Sequence, residues 1–193
     1  MRKLVYYVAS TIDGFIAGPA GETEFFPFEA DLREFIRSRY PETLPTHVRP
    51  HVGIPDGTPN LAFDTLVMGR ATLEPALQAG IARPYAHLRQ YTFSRHLQKG
   101  SEVVDRDPVE FVRELKQQDG LDIWLCGGGD LAGQLLGEVD ELVIKLSPVI
   151  AGQGIPLVRT GFDPIRFTLV STTPLESGVV VLTYERSARL AKA

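Results

Sequence analysis

The sequence has little cysteine, no long hydrophobic run and no excess of basic residues. Its one cysteine, Cys126, excludes an internal disulfide and a zinc site built from a cysteine cluster. No stretch approaches the roughly 18 apolar residues of a membrane span, and the N-terminal apolar run breaks at Ser10 and Asp13, too early for a signal peptide. The net charge of −4 gives no general attraction to nucleic acid. We therefore expect a soluble, cytoplasmic protein that holds any anionic ligand with local arginines.

The composition is that of one globular domain. The chain has 193 residues, 44% of them hydrophobic and 23% charged, and no linker or repeat divides it. We therefore expect a single domain over residues 1–193. Cys126 follows an apolar run, which favours a buried, inert thiol over a nucleophile.

Predicted strands alternate with predicted helices along most of the chain. The β-branched and aromatic runs that indicate strands lie at residues 4–10, 64–69, 88–95, 121–126 and 140–150. Segments with helical spacing or helix-start signals lie at 28–40, from about Ala71, at 107–119 and at 131–136, and residues 165–186 indicate a β-hairpin. This order predicts an α/β fold: a mostly parallel central sheet with helices on both faces and a C-terminal antiparallel hairpin.

Two segments carry strong local signals. Asp107, Pro108 and Glu110 have the order of an N-cap, a first-turn proline and a capping box, so they predict a helix start. Residues 41–60 contain five prolines and two glycines, which disfavour both a helix and a central strand. That segment is predicted to be an extended surface loop, with a lid as one interpretation.

Three predicted strand ends carry residues that suit a phosphate. In a parallel sheet, ligands bind outside the carboxyl ends of the strands, near helix N-termini. The residues at these ends are Gly69-Arg70 with Thr72 close behind, Ser94-Arg95, and Gly127-Gly128-Gly129. Glycine exposes backbone amides, and an arginine can fork onto a phosphate. The alternative is that each is an ordinary tight turn with a solvated arginine.

The glycine run also matches a relaxed dinucleotide fingerprint, Gly127-x-Gly129-x-x-Ala132. A true Rossmann fingerprint opens the first βα unit, whereas this one lies two-thirds along the chain. No Lys-Ser/Thr pair follows it, which excludes a P-loop. His47 and His51 have a metal-ligand spacing, but Pro50 denies them a helix, so no metal is expected.

Asp31 is the carboxylate that most suits a reaction centre. It lies at the rim of a predicted apolar stripe made by Phe28, Leu32, Phe35 and Ile36. A half-buried carboxylate there would have a raised pKa and could relay a proton. The alternative is that Asp31 only favours the positive N-terminus of its helix.

Several segments, in this order, resemble one superfamily. The segment YVASTIDGFIAG, the M-G-R-x-T-x-E pattern in VMGRATLE, TFSR, LCGGGDLAGQLL and LSPVIAGQGIPLV span nearly the whole chain. Together they resemble the dihydrofolate reductase-like superfamily, and within it the reductase domain of bacterial riboflavin biosynthesis and its stand-alone relatives. The tryptophan of true dihydrofolate reductases is missing after the first turn, and no deaminase zinc signature is present.

The resemblance implies a three-layer sandwich that binds NADPH and transfers a hydride to a small heterocyclic, pterin-like or pyrimidine-like substrate. It implies a homodimer, a cis peptide between Gly127 and Gly128, and Asp31 as proton donor or substrate anchor. The residues that it implies for the cofactor are Ala9, Ile16, Gly69, Arg70, Thr72, Ser94, Arg95, Gly127, Gly128, Gly129, Asp130 and Leu131. The alternative is a dinucleotide-binding module of the same fold without turnover.

Overall fold

A computed structural model of the chain describes residues 1–95 and 102–187. The described strands are β1 (Leu4–Ser10), β2 (Phe15–Ala17), β3 (Phe63–Gly69), β4 (Arg89–Phe93), β5 (Glu102–Val104), β6 (Asp122–Gly127), β7 (Glu141–Leu146), β8 (Ile155–Pro156), β9 (Phe167–Pro174) and β10 (Val180–Arg186). The described helices are α1 (Ala30–Arg39), α2 (Arg70–Gln78), α3 (Pro108–Lys116) and α4 (Gly129–Leu135). Within these ranges every helix is too short and too polar to cross a bilayer.

Eight strands form one sheet in the order β5-β4-β3-β6-β1-β7-β10-β9. The first six strands in this order, β5 through β7, run parallel to one another. β10 runs antiparallel to β7, and β9 runs antiparallel to β10. A separate small sheet pairs β2 with β8. The predicted α/β fold, with its mostly parallel sheet and C-terminal hairpin, is therefore confirmed.

Helices cover both faces of the sheet and give three layers. On one face, Tyr7, Phe63 and Trp124 form an aromatic core with Leu73 of α2, and α1 packs beside them. On the other face, α3 and α4 bury their apolar sides, represented by Val112 and Leu135. Central strands such as β1 are buried on both faces, so LVYYV is continuously apolar rather than alternating.

The start of α3 is set by local chemistry. The side chain of Asp107 accepts hydrogen bonds from the backbone N–H groups of Val109 and Glu110, each at 2.9 Å. Pro108 occupies the first helical position, where a missing N–H costs nothing. The predicted N-cap and helix start are therefore confirmed.

The proline-rich segment is packed, and the expectation of an extended surface loop or lid is wrong. It forms two short 3-10 turns, Pro41–Thr43 and Arg49–Val52, and buries Glu42, Leu44 and Ile54. Pro41 and Pro50 fit because each lies at the start of a 3-10 turn, where no N–H is needed. The segment therefore belongs to the layer that carries α1.

The buried carboxylate of Glu42 attaches this segment to the sheet. Oε1 accepts from the amides of Ala62 at 2.8 Å and Phe63 at 2.7 Å, and Oε2 accepts from Leu61 at 3.2 Å. The side chain is fully buried, so these donors replace the water that the charge has lost. The start of β3 is thereby positioned by a residue about 20 positions earlier.

Phe28 is not part of the apolar stripe of the first helix, contrary to the sequence prediction. Helix α1 begins two residues later, at Ala30, and Phe28 is exposed with the Arg33 guanidinium 5.9 Å from its ring centroid. Leu32 and Ile36 are the buried residues of the helix, with Phe35 packed beside them.

Replacing Glu42 should destabilise the protein strongly. We expect Glu42→Ala to lower the free energy of unfolding by about 2–4 kcal/mol, because three amides lose their acceptor in a buried place. Urea denaturation monitored by circular dichroism measures this change. Glu34→Ala is the control, since Glu34 is exposed and its ion pair with Arg37 contributes little. Equal stability of the two variants would contradict the role of Glu42.

Candidate functional site

The carboxyl ends of the parallel strands meet at one edge of the sheet. In the register of β3 with its neighbours, Gly69 lies opposite Phe93 of β4, and Met68 lies opposite Gly127 of β6. The ends that carry Gly69-Arg70, Ser94-Arg95 and the glycine run are thus adjacent. The sequence predicted that these ends share an edge, and the strand pairing brings them together.

The Gly127–Gly128 turn lies at the centre of this edge. The peptide between the two glycines is cis, as the resemblance implied, and Gly127 has φ +123°. A Cβ placed at Gly127 would lie 3.8 Å from Ile16 Cδ1, and one placed at Gly128 would lie 3.6 Å from Thr72 Oγ1. Gly69 packs against the same turn, since a Cβ placed at Gly69 would lie 3.8 Å from the Gly127 carbonyl oxygen. These five residues form one contiguous patch, called the glycine patch below.

Two glycines of the glycine patch, Gly69 and Gly128, are half-buried and have no side chain that covers their backbone. Helix α2 has Gly69 as its N-cap and α4 has Gly128, and neither cap forms a side-chain hydrogen bond to the helix. Amide groups at a helix start carry partial positive charge and bind anions. The residues at this edge therefore fit a phosphate-bearing cofactor.

Two other residues of the glycine segment are held in the interior. A Cβ at Gly129 would collide with the carbonyl oxygen of Pro156, and the Gly129 carbonyl accepts from the Arg159 N–H at 2.9 Å. Leu131 is a buried core residue. Glycine at 129 is therefore required by the close approach of β8.

Exposed charges surround the edge. Arg70 is 48% exposed, and its Nε lies 3.4 Å from the Glu74 carboxylate. Arg95 is exposed and Ser94 half-buried at the end of β4. Asp130, 71% exposed, forms an ion pair with Arg159 at 3.2 Å. Exposed ion pairs such as these contribute little, so the arginines can exchange their partners for a ligand.

Asp31 is held by backbone amides. Its Oδ1 accepts from Leu32 N–H, and its Oδ2 accepts from Ser177 N–H in the turn between β9 and β10, both at 2.7 Å. The Ser177 hydrogen bond is the main reason that the pKa of Asp31 lies below its usual value. The expectation of a raised pKa is therefore wrong, because the carboxylate has donors that stabilise its charge. Its place in the first turn of α1 agrees with the helix N-terminus interpretation.

Asp13 joins two loops at the same edge. Its carboxylate accepts from Thr11 Oγ1 at 2.6 Å, from Ala151 N–H at 3.1 Å and from Gly152 N–H at 2.7 Å. These hydrogen bonds, that of Thr11 first, lower the pKa of Asp13 to about 2. Sequence reasoning used Asp13 only to mark the break in the N-terminal apolar run, because its two backbone donors lie about 138 positions away.

Lys145 is a residue at this edge that sequence reasoning missed. It lies opposite Ala9 in the register of β7 with β1, and its Nζ is 3.9 Å from the ring centroid of Tyr7. Burial lowers the pKa of Lys145 to about 8, and burial raises the pKa of the nearby Cys126 thiol to about 12. The thiol therefore stays protonated, as expected for an inert cysteine. The sequence signal for Lys145 was its spacing in β7: side chains two residues apart share a face of a strand, so Lys145 lies on the same face as the buried Val143.

Comparison with known proteins identifies relatives over nearly the whole chain. Protein YyaP of Bacillus subtilis (strain 168) is 27% identical over 201 aligned positions, covering 95% of this chain and 94% of that protein. A structure named "Putative riboflavin biosynthesis protein" from Shewanella sp. PV-4 has a TM-score of 0.72 at 21% identity, covering 97% of this chain and 100% of that one. Dihydrofolate reductase from Enterococcus faecalis, complexed with NADP(H) and RAB-propyl, has a TM-score of 0.66 at 17% identity, with 96% and 97% covered.

The two structures share the dihydrofolate reductase-like fold, in agreement with the sheet order and layers described above. The family model of the RibD C-terminal domain matches residues 2–181. Family and fold together point to a reductase of the dihydrofolate reductase and RibD kind. The chain belongs to the RibD C-terminal domain family.

Proposed function

We propose that this protein is an NADPH-dependent reductase that transfers a hydride to a small heterocyclic, pterin-like or pyrimidine-like substrate. The glycine patch is the observation that carries this proposal, because its uncapped amides suit the phosphates of a dinucleotide. Family membership and the neighbouring dihydrofolate reductase complexed with NADP(H) support the choice of cofactor. When bound, NADPH would supply the hydride, and the protein would supply binding and orientation.

The proposed cofactor residues divide by the part of the dinucleotide that they would hold. Ala9 and Ile16 would line the nicotinamide end, and Ser94 with Arg95 would flank the adenosine ribose and its phosphate. The phosphates would lie along Gly69, Thr72, Gly127, Gly128 and Asp130, while Gly129 and Leu131 would support this turn from the interior. Arg70, exposed and only loosely paired, would hold the 2′-phosphate.

Asp31 would act on the substrate side as an ionised anchor. Each of its oxygens holds one backbone amide and retains a lone pair for another donor. A pterin-like or pyrimidine-like ring offers N–H groups to such a carboxylate. The lowered pKa of Asp31 keeps the carboxylate charged at neutral pH, which suits an anchor better than a proton donor.

The lowered pKa of Asp31 favours a second candidate, a dinucleotide-binding module without turnover. A reductase of this kind needs a proton source near the nicotinamide, and an ionised Asp31 does not provide one. A different proton donor at this edge would favour the reductase over the binding module.

We also propose that the protein is a homodimer that pairs through β9. This strand is the outer edge of the sheet, and most of its residues are exposed, including Leu169 at 51% and Val170 at 55%. Adjacent residues of a strand point to opposite faces, so β9 exposes apolar side chains on both. An edge strand of this kind is a pairing surface.

Replacing Arg70 tests the cofactor. We expect wild type to bind NADPH more tightly than NADH, and Arg70→Ala to weaken NADPH about 10- to 100-fold, since a charge-assisted contact to the 2′-phosphate is lost. NADH affinity should not change. Isothermal titration calorimetry measures both, with Arg83→Ala as the control, an exposed arginine beyond the end of α2.

Equal affinity of wild type for the two cofactors would remove the assigned role of Arg70. If neither cofactor binds at millimolar concentration, the proposed function itself is wrong.

Replacing Asp31 tests the substrate side. Asp31→Asn keeps an oxygen that can accept from Ser177 N–H but removes the negative charge. We expect KM to rise about tenfold for the compound that is reduced, a loss typical of one charged hydrogen bond, with NADPH affinity unchanged. NADPH oxidation against pterins, flavins and ribityl-pyrimidines measures this effect. An unchanged KM would exclude the anchor.

Charging the edge strand tests the dimer. We expect wild type to run as a dimer in size-exclusion chromatography with light scattering, and Leu169→Lys/Val170→Lys to run as a monomer. Paired positive charges on β9 would repel and resist desolvation at the interface. Phe162→Lys is the control, because Phe162 is fully exposed but lies outside β9. A monomeric wild type would refute the dimer.

A further inference from the structure

Lys145 points inward at the carboxyl end of β7. Residues 143 and 145 share one face of the strand, and Val143 on that face is fully buried. The flanking strands place Ala9 on one side of Lys145 and Val181 on the other. The lysine therefore lies beside the residue proposed for the nicotinamide end, on the face that α1 and α2 cover.

No carboxylate balances this cation in the described part of the chain. Lys3 pairs with Glu141 and Glu185, and Lys116 pairs with Asp140. Lys145 instead lies over the ring of Tyr7, with Nζ 3.9 Å from its centroid. A ring face is a weaker partner for a desolvated ammonium than a carboxylate is.

The titratable groups around Lys145 leave its charge uncompensated. Tyr7 on β1 and Cys126 on β6 both have raised pKa values through burial, so both are neutral near pH 7. The carboxylate of Asp31 on α1 is directed to Leu32 and Ser177, and that of Glu42 to the amides that open β3. The neighbour on β10 is the apolar Val181.

We propose that Lys145 donates the proton that accompanies hydride transfer. This inference rests on the proposed function. As the carbon of a substrate C=N or C=O bond receives the hydride from NADPH, the π electrons of that bond move to its nitrogen or oxygen. That atom takes a proton from Lys145 Nζ, an N–H bond of the ammonium breaks, and the neutral amine regains a proton from water. The products are the reduced substrate and NADP⁺.

The acidity of this ammonium suits the step. Burial lowers the pKa of Lys145 to about 8, so the group is mostly protonated at pH 7 and gives up its proton more readily than an exposed lysine. The active form is the ammonium, so activity is present below this pKa and is lost as pH rises through it. Lys145 thus supplies what the ionised Asp31 does not.

The first experiment needs no turnover. The lysines are methylated reductively with ¹³C-formaldehyde, and their resonances are followed by NMR against pH, with Lys145→Met assigning the Lys145 signal. We expect this signal to titrate near 8, well below that of Lys3, and to shift when NADP⁺ is added. A Lys145 signal that titrates with Lys3 or ignores NADP⁺ overturns the proposal.

The second experiment measures NADPH oxidation with the pterin, flavin and ribityl-pyrimidine panel. We expect Lys145→Met to lower kcat at least 100-fold, to abolish the loss of activity above pH 8, and to bind NADPH within twofold of wild type. Lys145→Arg keeps the charge, but its guanidinium does not release a proton at these pH values, so it should not restore kcat. Lys3→Met is the control, because Lys3 lies at the amino end of β1, at the end of the sheet opposite the proposed site.

The two failures are distinguishable. Loss of NADPH binding by wild type would refute the reductase itself. Normal NADPH binding with full kcat in Lys145→Met, or recovery of kcat in Lys145→Arg, would overturn only the assignment of Lys145 as proton donor.

Discussion

The packing of the Gly127–Gly128 turn against the end of β3 is the contact on which the rest of the edge depends. Four separate parts of the chain meet there: β2 through Ile16, the end of β3 through Gly69, α2 through Thr72 and the end of β6. A Cβ at Gly127 or Gly128 would only reach ordinary contact distance from these neighbours, and glycine at 127 is instead favoured by its φ of +123°. Gly69 and Gly128 are also the N-caps of α2 and α4, so both helices begin at this contact.

Three carboxylates of this protein hold backbone segments together. Asp13, Asp31 and Glu42 each accept at least two backbone N–H groups, and in each case at least one lies on a distant segment. A carboxylate satisfied in this way keeps its charge, yet has little need of a cation. The cations at the edge have weak partners: Arg70 pairs with the exposed Glu74 of its own helix, and Lys145 lies over an aromatic ring. The anion-binding role that we propose for this edge is therefore compatible with a net charge of −4.

Features that arise from local interactions could be predicted from the sequence. The α3 cap and the closing hairpin depend on neighbouring residues, and both were confirmed. The parallel sheet order then brought the predicted strand ends together. The packing of residues 41–60 could not be predicted, because it depends on amides at 61–63 that meet Glu42 only in the folded chain. The pKa of Asp31 was misjudged for the same reason, since its main determinant is Ser177, 146 positions away.

Lys145 illustrates what the sequence alone can predict about a residue and what only the folded chain shows. The alternation of β7 is enough to place a lysine on a buried face, but only the folded chain reveals that no carboxylate of the described segments accompanies it. For the fold alone, an unbranched apolar side chain such as methionine would fill the same space without the cost of desolvating a charge. Glu42 differs from Lys145, because three backbone amides hydrogen-bond its buried carboxyl group. Lys145 is half-buried beside Ala9, the residue that we propose for the nicotinamide end, and our proposal assigns this ammonium a role toward the ligand rather than toward the fold.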